Sequence, residues 1–164
     1  MQVEVAETAG FCFGVDRAVN AVYKLLEEGK KACTLGPIAH NPQVTGDLQE
    51  KGVLAVDSPA GAPPGYVLVI RSHGVAREVE EEIGRLSVPC VDATCPSVKK
   101  IHRLAREAGE QGRVFLLFGD GDHPEVRGIT GHCTGEFLVC RGAGELQTLL
   151  KTRPDLSKLP IAVA

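Results

Sequence analysis

Two cysteines and three histidines occupy positions where side chains do chemistry. Cys12 lies in Gly10-Phe11-Cys12-Phe13-Gly14-Val15-Asp16-Arg17 and Cys95 in Asp92-Ala93-Thr94-Cys95-Pro96, each where a strand should give way to a helix. Free N–H groups and the positive end of the following helix stabilise a thiolate there, favouring reactivity or metal ligation. His40, His73 and His123 share a second setting, in Ile38-Ala39-His40-Asn41-Pro42-Gln43-Val44, Ile70-Arg71-Ser72-His73-Gly74-Val75 and Gly121-Asp122-His123-Pro124-Glu125-Val126. Each could donate a hydrogen bond to an anion at the mouth of a sheet. A capping or satisfied structural role is the other reading of any one alone, but three at equivalent turns favour a shared binding site. Glu125, just after Pro124, could supply a proton in the same pocket or merely complement a helix start.

The remaining candidates read differently. Cys33 and Cys90 fall in apolar strand-like stretches and are expected to be buried and inert, while Cys133 and Cys140 bracket a strand and stay ambiguous. Cys90 with Cys95 and Cys133 with Cys140 lack the tight Cys-x-x-Cys spacing of structural zinc sites. His102 falls in an expected surface helix and His132 in a poorly patterned loop, so both read as structural or solvated. No Gly-x-Gly-x-x-Gly joins a strand to a helix, which disfavours a dinucleotide site.

The elements that must position these residues alternate along the chain. Helical spacing of apolar residues marks 16–28, 42–51, 75–86 and 97–111. Strand patterns mark 2–6, 32–38, 53–56, 66–70, 88–91 and 113–118, with a further strand between Cys133 and Cys140 and another beginning at Leu159. Tyr66 to Ile70 is apolar almost throughout, as befits a strand buried on both faces. The expectation is an α/β fold with mainly parallel sheets and sites at strand carboxyl ends. The echo between histidine turns points to two modules dividing near Pro96, residues 1–96 and 97–164.

Composition narrows the function classes. The 164 residues suffice for a core without disulfides, and a net charge of −3 gives no reason to expect nucleic acid or an anionic membrane. Met1 to Glu7 carries two glutamates and no basic segment before an apolar run, unlike a signal peptide. No apolar stretch approaches the roughly 20 residues of a membrane span. A cytoplasmic protein is expected, its cysteines metal ligands or free thiols.

Five motifs in order, around Cys12, Ala39-His40-Asn41, Ser72-His73-Gly74-Val75, Asp92-Ala93-Thr94-Cys95-Pro96 and His123-Pro124-Glu125-Val126, resemble the 4-hydroxy-3-methylbut-2-enyl diphosphate reductases of non-mevalonate isoprenoid synthesis. The resemblance implies a trefoil of three α/β modules around a 4Fe–4S cluster held by three thiolates, two of them matching Cys12 and Cys95. It implies that His40, His73 and His123 hold the allylic substrate's diphosphate, that Glu125 delivers a proton, and that a donor such as ferredoxin or flavodoxin supplies electrons. The products would be isopentenyl and dimethylallyl diphosphate.

The family's third cysteine is expected beyond residue 164, and neither Cys133 nor Cys140 matches its motif. The chain is therefore expected to hold two of three modules, lack the third, and be inactive alone. A non-catalytic metal- or anion-binding α/β module is the alternative.

Overall fold

Alternation of side chains along short apolar runs decides the architecture. In the computed structural model, which describes residues 2–7 and 9–164, four strands pair in parallel: β1 (Lys31–Leu35), β2 (Leu54–Val56), β3 (Tyr66–Ile70) and β4 (Cys90–Asp92). Successive residues of a strand face opposite sides. Ala32 and Val69 therefore join one core with Ala18, Val22 and Leu25 of α1 (Phe13–Glu27) and Leu48 of α2 (Pro42–Glu50). Cys33, Leu35, Leu68 and Ile70 turn to the other face, where Ile83 of α3 (Arg77–Leu86) packs on them. Burial on both faces explains the unbroken apolar run at Tyr66 to Ile70.

A second parallel sheet has β5 (Val114–Phe118) between β6 (Phe137–Cys140) and β7 (Ile161–Val163). Phe115 and Leu117 of β5 pack with Ala105 and Ala108 of α4 (Pro96–Glu110) and with Val126 and Ile129 of α5 (Pro124–Thr130). The helix α6 (Ala143–Thr152) precedes the return to β7.

Strand order in the first sheet, β2-β1-β3-β4, places the chemistry. From β1 the chain runs through α2 to β2 on one side, and from β3 through α3 to β4 on the other. Adjacent parallel strands whose connections diverge leave a crevice between their carboxyl ends. His40 follows β1 and His73 follows β3, so the two flank that crevice; His123 follows β5, the central strand of the second sheet.

The expected α/β class with parallel sheets is the observed one. Residues 2–6 depart from it by forming no strand. Val3 and Val5 are 72% and 80% exposed. Alternation alone does not make a strand when no neighbour takes its backbone hydrogen bonds. Among the described residues, no helix is long and apolar enough to cross a membrane.

Phe115, 2% exposed, is the largest of the fully buried side chains and sits on the central strand of its sheet. Phe115→Ala should cost about 3–5 kcal/mol, measured as a fall in the denaturant midpoint of unfolding.

Candidate functional site

Cys12 is the N-cap of α1 and Cys95 the N-cap of α4, where Pro96 supplies the first-turn backbone angle. Neither thiol makes a capping bond. Two contacts bring these helix starts together. The Arg17 guanidinium donates to the Thr94 carbonyl at 2.8 Å. A Cβ at position 14 would lie 2.8 Å from the Cys95 sulfur, so only glycine lets the first turn of α1 come this close.

The Cys95 loop is fixed from its other side as well. The Thr94 N–H donates to Asp92 Oδ1 at 2.9 Å and the Cys95 N–H to the Ser72 carbonyl at 2.9 Å, beside His73. Burial of Asp92 acts to raise its pKa, but the ion pair with Lys99 and the bonds from Thr94 outweigh it and hold the carboxyl below its usual range.

Burial sorts the six free cysteines. Cys12 is exposed and Cys95 half-buried. Cys33 and Cys140 are buried, and loss of solvation pushes both thiols up. Burial pushes Cys133 up to about 11. Cys90 is exposed, against the sequence expectation, because it begins β4 at the edge of its sheet. Its thiol is nonetheless desolvated and, with the Asp92 charge adding, is pushed up to about 11, in keeping with the expected inertness.

The three histidines converge. The rings of His40 and His73 have centroids 5.5 Å apart, and those of His73 and His123 are 5.4 Å apart and nearly perpendicular. One ring nitrogen from each lies within 4.8 Å of the others. His40 and His123 are exposed and His73 half-buried. The Glu125 N–H donates to Nδ1 of His123 at 3.2 Å, so in the neutral ring Nε2 carries the proton and can act as a donor. Burial depresses the His73 pKa to about 4, with the Arg71 charge and the other two histidines adding to it. Among the described residues, His73 Nδ1 is buried without a hydrogen-bond partner. Glu125 follows His123 at the start of α5, half-buried.

His102 and His132 are the residues that sequence reasoning misplaced. They are 6% and 7% exposed, stacked with centroids 4.1 Å apart and 22° between planes. The signal was available: His102 falls at helical spacing with Val98 and Ala105, on the buried face of α4.

Burial, followed by the influence of His132, lowers the His102 pKa to about 4. His73 and His102 both titrate near 6.5 when unfolded but near 4 when folded. The unfolded chain thus binds more protons between these values, and stability must fall as pH drops from 6.5 towards 4. Thermal melting across this interval should show a falling midpoint, with a shallower slope for His102→Phe. A midpoint flat across it would contradict the assignment.

Comparison with known proteins gives one family. The model for LytB protein matches residues 3–163. The 4-hydroxy-3-methylbut-2-enyl diphosphate reductase of Desulfovibrio desulfuricans is 44% identical over 156 residues, covering 91% of this chain and 54% of the relative. The protein of the same name from Citrifermentans bemidjiense is 40% identical over 161 residues, covering 98% and 56%. The chain thus spans about half the length of the curated relatives it matches. A solved structure of (E)-4-hydroxy-3-methyl-but-2-enyl diphosphate reductase, described as the terminal enzyme of the non-mevalonate pathway, superposes with a TM-score of 0.77 at 30% identity, covering 99% of this chain and 66% of that one. The reductase structure from Plasmodium falciparum, at 20% identity and a TM-score of 0.80, shares the fold and covers 95% of this chain and 57% of its own. A single family model running from the first described strand-free residues into the last strand settles the kinship: the chain belongs to the LytB protein family.

Proposed function

We propose that this chain carries the diphosphate-binding histidines and two cluster-ligating cysteines of a reductase acting on 4-hydroxy-3-methylbut-2-enyl diphosphate. The overall change adds two electrons and two protons, breaks the allylic C–O bond and releases water, leaving isopentenyl or dimethylallyl diphosphate. The observation that carries the reading is the convergence of His40, His73 and His123 from three strand ends, with one ring nitrogen of each within 4.8 Å of the others. A diphosphate needs several donors at such spacing. The 3.2 Å bond to His123 Nδ1 aims a donor outward from the ring's other nitrogen.

The cysteines fit a 4Fe–4S cluster in chemistry, since soft thiolates suit such a cluster, and the close approach of Gly14 to the Cys95 sulfur brings together the two helix starts that carry them. When bound, the cluster supplies electrons singly and an open iron as a Lewis acid. Cys12 and Cys95 would hold two corners, and Cys33, Cys133 and Cys140, with thiols raised by burial, are poor third ligands. A third cysteine from the part of the relatives that this chain does not span completes the set. The exposed rings of Phe11 and Phe13 beside Cys12 support a further module closing over this face.

Within that site the histidines anchor the diphosphate and so hold the carbon chain in reach of the cysteines. Glu125, adjoining His123, would hand over the proton that leaves in water. The two modules divide near Pro96, the third lies in the part of the relatives that this chain does not span, and an electron donor such as ferredoxin or flavodoxin serves the site in the cytoplasm. This chain alone should not turn over substrate.

In a chain of the relatives' full length, Glu125→Gln should lower kcat by about a hundredfold or more with binding kept, as loss of a general acid does. His123→Ala should instead weaken diphosphate binding by about 10- to 100-fold, the range for a hydrogen bond to a charged group. Steady-state kinetics separates the two; a Glu125 variant that changes only KM would refute the proton-delivery role.

A further inference from the structure

His102 and His132 lie outside the histidine triad, yet both press on the turn that carries His73. Nε2 of His132 donates to the Val75 carbonyl at 3.0 Å. His132 stacks in turn on His102. His102 packs against the backbone of Gly74: a Cβ there would lie 2.7 Å from His102 Cε1 and 2.9 Å from Thr94 Cγ2, and Gly74 has φ +69°. From the same side Gly128 of α5 approaches, its would-be Cβ 3.5 Å from the His73 carbonyl and 3.6 Å from His102 Nε2. The turn 73–75 of the first sheet is thus gripped by α4, by α5 and by the residue following α5's cap.

A metal site is the obvious alternative, since one atom each of Glu80, His102 and His132 lies within 4.8 Å of the others. The ring geometry opposes it. Imidazole lone pairs lie in the ring plane, and planes only 22° apart cannot both aim at one ion between them. The His132 nitrogen nearest Glu80, at 3.8 Å, is also the one bonded to Val75.

We propose that His102 and His132 are positioning residues that hold His73 in register with His123 across the two sheets. The reasoning is geometric. His123 rides on the start of α5, and His132 follows that helix, so a bond from His132 to Val75 ties the two diphosphate histidines through opposite ends of one seven-residue element. His102 supplies a flat wall under Gly74. Among the described residues its Nε2 is buried without a partner, so shape rather than a hydrogen bond from that nitrogen is its contribution. The inference rests on His40, His73 and His123 being the diphosphate site.

The test uses the 164-residue chain with two readouts: calorimetric binding of inorganic pyrophosphate, and the nuclear Overhauser contact between the His73 and His123 rings. His132→Ala should lose the ring contact and weaken pyrophosphate about tenfold, the loss of one hydrogen bond expressed as a ratio. H132Q, whose amide can still donate to Val75, should restore both. His102→Ala should act like His132→Ala, and His102→Phe should keep both readouts. If the alanine variants lower only the melting temperature, with ring contact and affinity unchanged well below it, the positioning role is overturned. It is overturned equally if H132Q fails to rescue. Should the unmodified chain not bind pyrophosphate, the diphosphate reading fails, while the ring contact still decides whether His102 and His132 hold the two turns together.

Discussion

The site depends on one constraint, the parallel pairing of β1 with β3 while their onward connections run to opposite sides of the sheet. Parallel strands put every strand-to-helix turn at the same edge. Divergent connections then keep the turns after β1 and β3 from covering each other. His40 and His73 therefore face a common opening, and the Cys95 loop is hydrogen-bonded to the second of these turns through the Ser72 carbonyl. The second sheet adds His123 from its central strand, and close packing joins that sheet to the first, His102 of α4 on Gly74 and Gly128 of α5 on the His73 carbonyl.

Close approach of backbones, more than side-chain charge, sets the geometry around the cysteines. Gly14 is where α1 nearly touches the Cys95 sulfur, and the Arg17 bond to Thr94 holds that approach. Electrostatics then separates the side chains by environment. Cys12, exposed at a helix start, differs in kind from Cys33 and Cys133, whose burial raises the thiol pKa and keeps it protonated. His73 is kept neutral by burial and by neighbouring positive charge, so on the proposed reading an entering diphosphate would favour its charged form and couple binding to its protonation.

Much of this was legible in the sequence because the signals are local. Apolar runs and helical spacing give the strand and helix order, and cysteines or histidines after apolar runs mark the carboxyl edge. Residues 2–6 misled because alternation reports a side-chain pattern and not the presence of a partner strand. Cys90 misled because an apolar neighbourhood does not distinguish an edge strand from a central one. His102 and His132 stayed hidden for a different reason. Their stack joins residues 30 positions apart, and the carbonyl that His132 meets lies 57 positions away, so their contact exists only after α4 and α5 pack. The convergence of three histidines was legible as recurrence, but the spacing near 5.5 Å needed the topology.

The central claim is that Cys12 and Cys95 are two thiolate corners of an iron–sulfur site, with the third supplied from elsewhere in the family's full length. Iron content and the cluster's absorption and electron paramagnetic resonance, after anaerobic reconstitution of a full-length chain, test it most directly. Cys12→Ser and Cys95→Ser should each strip or convert the cluster while circular dichroism stays that of the unmodified fold. Iron content and spectra unchanged in either variant would contradict the account.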